Sequence, residues 1–550
     1  MLLAVGVLGV IAMRLVQVQV IDREQYLSEI SRHITTSLIA GDRGNILSRD
    51  GSFLVTTDSS TTIGANPQLI TNAYPTALLI AAELNMSEQK IYELLSREDR
   101  NYVHLKREVA PDIVDNIRKL NLDGIAFREE PDRAYPNGDG FARNLLGQVD
   151  VDETPLNGIE KQFNQQLAGQ PGSRVDYVSL SDQPVKLRGG DLNYEAPRRG
   201  SDVRTTIHIP IQRSAEEALK KSVLESGANW GTAIVLDVAT AEVLALTDIS
   251  IDKESGEPWV PGKSHAYIKA FEPGSVVKTF TIATALDLGY IHPEEVFEVP
   301  HKYQYADKEF DEPYVSQDRQ LTVSEILSKS SNIGTIQIGE RVGPDQLYFY
   351  LHRFGLGRYS TGSDEMQGLP GETRGKLKRP QDWEGTVPAT IAFGQGVSVT
   401  AIQLAAAYNV IANDGRYTPA SLVQGFETPD GSFRRLEVLT SHTVLSATTA
   451  KQMRDMLEGV VMNGTGTRAA VNGYGVAGKT GTAEKPKDGA YCDCYTTIFA
   501  GFAPVADPRI TVVVVLDEPE DQVGAGLIAA PLFSEIATKA LGILGVPKTR

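Results

Sequence analysis

The chain opens on an apolar run, Met1-Leu-Leu-Ala-Val-Gly-Val-Leu-Gly-Val-Ile-Ala-Met13, continuing as Arg14-Leu-Val-Gln17-Val-Gln19-Val-Ile21. A bilayer is spanned by about 20 mostly apolar residues, and the run reaches that length by including Arg14, Gln17 and Gln19. An arginine near the helix exit can snorkel to the interface, so the pattern predicts one spanning helix over 1–21 with the bulk of the chain outside. A cleaved signal peptide is the rival, but neither a basic n-region nor a small-x-small cleavage site supports it. Residues 22–40 read as a polar, helix-compatible stalk.

Within Gly41–Val55, alternation about Asp50-Gly51 predicts two short strands. Thr76–Glu83, Glu88–Ser96 and Ala110–Leu120 read as helices. No nucleophile paired with a base stands out in residues 41–200, which read as a pedestal. Arg43, Arg133 and Glu160 are candidates there for a buried ionic cluster, although each taken singly would be an ordinary surface charge. Composition shifts at Ala196-Pro-Arg-Arg-Gly-Ser201, a linker, and residues 201–550 form the second unit. There Pro210–Leu224 predicts a helix with proline in its first turn, and Thr232–Val238 with Glu242–Thr247 a hairpin. Thr322 N-caps a helix over Val323–Lys329 that ends at Ser330. The apolar run Val512–Leu516 suits a central strand, and Ala530–Leu541 a closing helix with an apolar stripe.

The chemistry is concentrated in Phe271-Glu-Pro-Gly-Ser275-Val-Val-Lys278. After Pro273-Gly274 the pattern turns helical, placing Ser275 in the first turn and Lys278 three residues later on the same face. Serine needs a neighbouring base to become a nucleophile, and a lysine whose pKa is lowered by burial can serve. The helix N-terminus adds backbone N–H groups where an oxyanion would form. The spacing alone proves little, since Ser87-Glu-Gln-Lys90 repeats it as a plain N-cap followed by a solvated lysine. Ser275 is distinguished by its company, Ser330-Ser331-Asn332 and Lys479-Thr480-Gly481-Thr482, a set shared with penicillin-binding proteins and class A β-lactamases, whose middle element is Ser-Asp-Asn. Here Ser331 takes the middle place; Ser330 and Asn332 can face a cleft while Ser331 points elsewhere. Ser330 is placed to relay a proton and Asn332 to hold a substrate amide.

Gly473–Thr480 also matches the phosphate-binding P-loop pattern. A P-loop requires a helix directly after Lys-Thr, whereas Gly481-Thr-Ala-Glu-Lys-Pro486 cannot propagate one. The segment reads instead as a strand, with Lys479 and Gly481 on one face and Thr480 and Thr482 on the other. Gly481 would let a substrate approach the backbone closely. As an edge strand it could take an extended peptide by β-augmentation, its lysine and threonine groups drawing in a carboxylate.

Composition adds limits. The 550 residues suffice for two or more domains, and the formal net charge of −17 argues against a nucleic-acid partner. The two cysteines, Cys492 and Cys494, stand too close for a structural zinc site or an ordinary disulfide and read as two thiols in a surface loop. No metal or cofactor is expected, and no Gly-x-Ser-x-Gly elbow or His-Glu-x-x-His pair is present.

Taken together, Arg43-Gly44-Asn-Ile, Arg133-Ala-Tyr-Pro136, Gly158-Ile-Glu160, Glu272–Lys278, Gly394-Gln-Gly396-Val-Ser-Val-Thr400, Ala477–Ala483 and Phe499-Ala-Gly-Phe-Ala-Pro504 resemble the class B penicillin-binding proteins, most of all the division-specific peptidoglycan D,D-transpeptidase of FtsI type. The resemblance implies an α+β transpeptidase domain over 201–550, with helices on both faces of a largely antiparallel sheet, and an elongated non-catalytic pedestal over 41–200. It implies that Ser275 attacks the carbonyl between the last two D-alanines of a peptidoglycan stem peptide with Lys278 as base. The N–H groups of Ser275 and Thr482 would form the oxyanion hole, and Ser330, Asn332, Lys479 and Thr480 would complete the cleft. It further implies acylation by β-lactam antibiotics, a single-pass anchor in the cell membrane with an extracytoplasmic catalytic domain, and division-complex partners including a glycosyltransferase of FtsW type. An elongation-specific relative and a β-lactam sensor without turnover are the alternatives.

Overall fold

Every residue of the strand Ile510–Asp517 is buried, and alternation decides what each one touches. Ile510, Val512, Val514 and Leu516 join one apolar core, while Val513 and Val515 join another. The computed structural model, which describes residues 2–22, 34–177, 194–312, 315–361, 368–437, 440–487, 490–520 and 524–549, thus places this strand inside a three-layer unit. A strand with both faces covered must be apolar throughout, which explains the continuous run of valines.

The sheet has the order Pro258–Trp259, Val243–Ile251, Trp230–Asp237, Ile510–Asp517, Ala490–Ala503, Ala477–Lys487, and every neighbouring pair is antiparallel. Helices Ile209–Ser226 and Ala529–Ile543 cover one face through Leu219, Val223, Phe533 and Ile536. Helices Lys278–Asp287 and Ala401–Ala412 belong to the core of the other face. The predicted hairpin, closing helix and central strand are all found, and Thr322 caps Val323–Lys329 with a full capping box. Lys479 lies on Ala477–Lys487, the edge strand of the sheet.

A second sheet runs Phe433–Arg435, Val423–Glu427, Asp202–Thr205, Ile46–Leu47, Phe53–Ala65, Val103–Val109, with Ile125–Ala134 also paired to Phe53–Ala65. Strand Asp202–Thr205 lies parallel to Ile46–Leu47 and antiparallel to Val423–Glu427, so this sheet joins the N-terminal part to the C-terminal one. Helices Ala73–Leu84, Glu88–Leu95 and Pro111–Lys119 form a separate small core on its far end.

The N-terminal segment departs from expectation in part. The α-helix Leu2–Val16 has 15 residues and passes into a π-turn at Gln17–Ile21; no helix among the described residues is long and apolar enough to cross a membrane. Arg14 donates to Gln17 Oε1 at 2.8 Å where the α-helix gives way to the π-turn. Of the stalk, Ile34–Ile39 is a strand paired antiparallel with Gly172–Tyr177 rather than a helix, and residues 23–33 lie outside the described residues.

The cysteines also differ from expectation. Cys492 and Cys494 are joined in a disulfide. The register of Ala477–Lys487 against Ala490–Ala503 jumps from Glu484↔Tyr495 to Lys485↔Cys492, skipping Asp493 and Cys494. That two-residue excursion turns the chain back and leaves the two Cα atoms 5.2 Å apart, within the range a disulfide accepts.

Arg43, Arg133 and Glu160 come together as one buried cluster. Glu160 is fully buried, and its Oε2 accepts from Arg43 Nε at 2.6 Å while its Oε1 accepts from Arg133 Nε at 3.0 Å. Two cations on one carboxylate leave surplus donors, which Asn164 Oδ1, the Glu160 carbonyl, the Gly44 carbonyl and Thr57 Oγ1 accept. The cluster therefore ties residues 43–44, strand Phe53–Ala65, strand Ile125–Ala134 and helix Gly158–Gln162 to one point. Removing one member of a buried ionic group leaves the others uncompensated at about 3–5 kcal/mol. Glu160→Gln is thus expected to bring urea-induced loss of the N-terminal unit to a markedly lower midpoint, checked by limited proteolysis across a urea series.

Candidate active site

Lys278 and Lys479, from two of the three sequence motifs, meet at the hydroxyl of Ser330, from the third. Pro273-Gly274 starts a 3-10 turn, Gly274–Val277, which runs straight into helix Lys278–Asp287. In a 3-10 turn residues three apart nearly eclipse, so Ser275 and Lys278 fall on one side of the turn, as the spacing predicts. Ser275 is half-buried and Lys278 fully buried. The Lys278 amine donates to the Ser330 carbonyl at 2.5 Å, to Asn332 Oδ1 at 2.6 Å and to Ser330 Oγ at 3.3 Å. From the opposite wall Lys479, also fully buried, donates to Ser330 Oγ at 2.9 Å and to the Thr480 carbonyl at 3.2 Å.

The middle motif is held by the ends of two helices. Ser330 closes helix Val323–Lys329 in the left-handed conformation, φ 59°. Ser331 then N-caps helix Asn332–Val342, its Oγ accepting from Gly334 N at 2.9 Å. Ser331 is buried and turned away from the two lysines, as the motif suggests. Asn332, expected to hold substrate, has its side-chain oxygen engaged by Lys278.

Burial decides the protonation of both amines. It pushes Lys278 down to about 7, against an opposing pull from the Glu312 carboxylate. Lys479 is driven well below its usual value, first by burial and then by the neighbouring Lys278. Two ammonium ions flanking one hydroxyl in a dry site would repel. Burial and mutual repulsion thus bias both amines toward the neutral form, and a free amine beside a serine can accept its proton.

Strand Ala477–Lys487 carries Lys479 and Gly481 on the face toward the Ser275 turn. A Cβ on Gly481 would lie 2.9 Å from the Pro273 carbonyl oxygen and 3.0 Å from Val276 Cγ1. The glycine is thus required by the packing of the strand on the Ser275 turn, where the sequence suggested room for a substrate. On the other face Thr480 Oγ1 hydrogen-bonds Thr465 Oγ1 at 2.6 Å, and the exposed Thr482 accepts from Ala525 N at 3.2 Å. Because Lys479-Thr480 continue as a strand and no helix follows, the P-loop geometry is not formed.

Three supports were not visible as such in the sequence. Gly394 closes helix Val387–Phe393 at φ 97°, and a Cβ there would stand 2.0 Å from the Gly274 carbonyl oxygen, while Gly274 N donates to the Gly394 carbonyl at 3.0 Å. Tyr408, fully buried on helix Ala401–Ala412, donates to the Val276 carbonyl at 2.9 Å from beneath. Glu312, at the end of strand Lys308–Asp311, accepts from Ser331 Oγ. A lone carboxylate or tyrosine carries no spacing signal; only the left-handed glycine is of a type that sequence can flag.

Comparison with known families agrees with this geometry. The family described as penicillin binding protein transpeptidase domain matches residues 231–538, and the penicillin-binding protein dimerisation domain matches 38–205. The chain belongs to the class B penicillin-binding proteins. It is 35% identical to penicillin-binding protein PbpB of Mycolicibacterium smegmatis over 85% of this chain and 74% of that one. It is 30% identical to peptidoglycan D,D-transpeptidase FtsI of Escherichia coli over 97% of this chain and 89% of that one. Among solved structures, a peptidoglycan synthetase from Bifidobacterium adolescentis superposes with a TM-score of 0.74 at 28% identity, covering 94% of this chain and 98% of that one. Penicillin-binding protein 3 of Mycobacterium tuberculosis complexed with aztreonam gives 0.71 at 28% identity, with the same coverage. As a class B penicillin-binding protein the chain is a peptidoglycan D,D-transpeptidase.

For this transpeptidase, Gly481→Ala and Gly394→Ala each force backbone apart next to Ser275, at roughly 1–3 kcal/mol of local strain. Turnover of a D-alanyl-D-alanine peptide is expected to fall about tenfold or more in each, since small displacements of a reacting group are costly. Steady-state kinetics beside a melting curve would show the loss while the protein remains folded.

Proposed function

We propose that Ser275 is the nucleophile of an acyl-enzyme transpeptidation that cross-links peptidoglycan stem peptides during septal wall synthesis, and that β-lactams acylate the same hydroxyl. The observation that carries the reading is the convergence of Lys278 and Lys479 on Ser330, with Asn332 also engaged by Lys278, which brings together beside the Ser275 turn three regions more than fifty residues apart in sequence. Neutral Lys278 takes the proton of Ser275 Oγ as that oxygen bonds to the carbonyl carbon of the penultimate D-alanine. The oxyanion is received by the N–H groups of Ser275 and Thr482; the backbone of Thr482 and Ala483 packs on Gly274, the residue before the nucleophile.

Ser330 Oγ lies within reach of both amines and passes the proton to the departing D-alanine nitrogen, so that the C–N bond breaks and a serine ester remains. An amine of a neighbouring stem then attacks the ester. It gives its proton to Lys278, and Ser275 recovers one as it leaves. Thr480 and Lys479 receive the C-terminal carboxylate of the donor peptide. Arrival of that anion favours protonation of Lys479, whose own charge burial suppresses.

Similarity to FtsI of Escherichia coli supports the division role, with an FtsW-type glycosyltransferase as partner and the pedestal as the contact surface. In this reading the apolar helix Leu2–Val16 with the following turn anchors the chain in the cell membrane, and the catalytic domain lies outside.

Intact mass spectrometry after penicillin treatment tests the nucleophile: the wild type is expected to gain one penicilloyl mass and Ser275→Ala none. An adduct retained by Ser275→Ala overturns the assignment. The base makes a second prediction. Lys278 has its folded value depressed, so the active free amine is present above about pH 7 and is lost as pH falls through that value. The acylation rate should therefore decline roughly tenfold per pH unit below the midpoint and level off above it, as read by stopped-flow with a chromogenic cephalosporin. Depletion giving filaments supports the septal role; round cells would point to elongation.

A further inference from the structure

Carboxylates are seldom buried without full pairing, and Glu312 has a side-chain exposure of only 4%. Its oxygens are divided between two tasks. Oε1 accepts from Ser331 Oγ at 2.7 Å and from Ile333 N at 2.7 Å; Oε2 accepts from Arg319 Nη2 at 3.1 Å. Its own N–H donates to the His301 carbonyl at 3.1 Å.

Ile333 N is one of the N–H groups at the start of helix Asn332–Val342 that have no partner inside the helix. Ser331 Oγ satisfies another, at Gly334. Glu312 thus grips the residues on both sides of Asn332, whose Oδ1 meets the Lys278 amine at 2.6 Å. An N-cap serine suffices to start a helix. A buried carboxylate beyond it adds something a cap does not need, an acidic group whose pull reaches the buried amine of Lys278. Burial drives that amine toward neutrality and Glu312 draws it back.

We propose that Glu312 is a positioning residue of the transpeptidase reaction: its carboxylate fixes the Ser330-Ser331-Asn332 turn and sets the charge felt at Lys278, with Arg319 moderating that charge from the opposite side. The proposal rests on the acyl-enzyme reading above. The charged groups around the carboxylate are Arg319 on strand Arg319–Thr322, Lys278 on the Ser275 helix and, behind Lys278, Lys479 on the edge strand. The His301 imidazole is turned to Asp318 at 2.7 Å. Glu312 pulls Lys278 toward its charged form, and Arg319 touches the same carboxylate at 3.1 Å, so a change at either residue should be felt at Lys278 in opposite directions.

The experiment is the pH profile of acylation of the full chain by fluorescent penicillin, with melting curves beside it. Glu312→Gln is expected to lower the plateau rate roughly 10- to 100-fold, the scale of a lost hydrogen bond to a charged group. It should also move the midpoint to lower pH, because the ammonium form of Lys278 loses its counter-charge. Arg319→Met should move the midpoint to higher pH, since the Glu312 charge is then less neutralised. Ser331→Ala should lower the plateau and leave the midpoint in place. Identical midpoints in wild type, Glu312→Gln and Arg319→Met overturn the proposal, whatever happens to the plateau. If Glu312→Gln shows no melting transition, Arg319→Met against Ser331→Ala decides alone, and an unmoved midpoint in Arg319→Met is the refuting result. A wild type that penicillin does not acylate at all refutes the acyl-enzyme reading, and the proposal falls with it.

Discussion

An ammonium ion taken out of water costs several kcal/mol unless paired, and this structure buries two lysine amines beside one serine hydroxyl. The arrangement is tolerable only if the amines give up protons or find acceptors, and the surrounding elements supply both. The left-handed end of helix Val323–Lys329 turns the Ser330 carbonyl toward Lys278, and the N-cap that follows turns Asn332 the same way. The sharp helix-to-helix junction at Ser330-Ser331 is therefore a condition for burying that amine with its N–H groups satisfied.

Keeping that amine near Ser275 requires close packing, and the backbone achieves it where side chains would be too large. The Ser275 turn is approached by strand Ala477–Lys487 at Gly481, by the Gly394 turn at Gly274 and by Tyr408 from below. A methyl group at either Gly481 or Gly394 would have to overlap backbone oxygen. Contacts between backbone segments leave no rotamers to readjust, so the Ser275 turn is held by parts that do not repack. A reacting group gains most from this kind of support, because misplacement by a fraction of an ångström weakens a proton transfer.

The sequence made the local pieces of this site readable and left their mutual arrangement hidden. Ser275 and Lys278 follow from helical spacing, Ser330 from a capped helix end and Lys479 from a stretch that cannot form a helix; each has a signal within a few residues. The valines of 512–515 declared a strand buried on both faces, and the cysteines misled because the register jump that brings them together belongs to the pairing of two strands. Glu312 and Tyr408 act across long separations on the Ser330 and Ser275 turns, and nothing local distinguishes them from ordinary residues. The first helix was legible in its apolar composition, whereas its change of pitch at Gln17 carries no local signal.

The edge strand draws these threads together. An open strand edge is a liability, usually blunted by charge or irregularity. Here the strand is blunted only beyond the site: Lys485 is drawn inward to Asp517 at 2.8 Å and Glu518 at 2.6 Å, and past it the register breaks at the disulfide-bonded excursion. Over Lys479–Thr482 the edge stays regular, flat against the Ser275 turn, with Lys479 buried and Thr482 exposed. A regular stretch of edge followed by a blunted one is suited to pairing with an extended chain at the regular part alone. In the proposed reaction an extended donor stem peptide would lie along this strand with its carboxyl end toward Lys479 and Thr480.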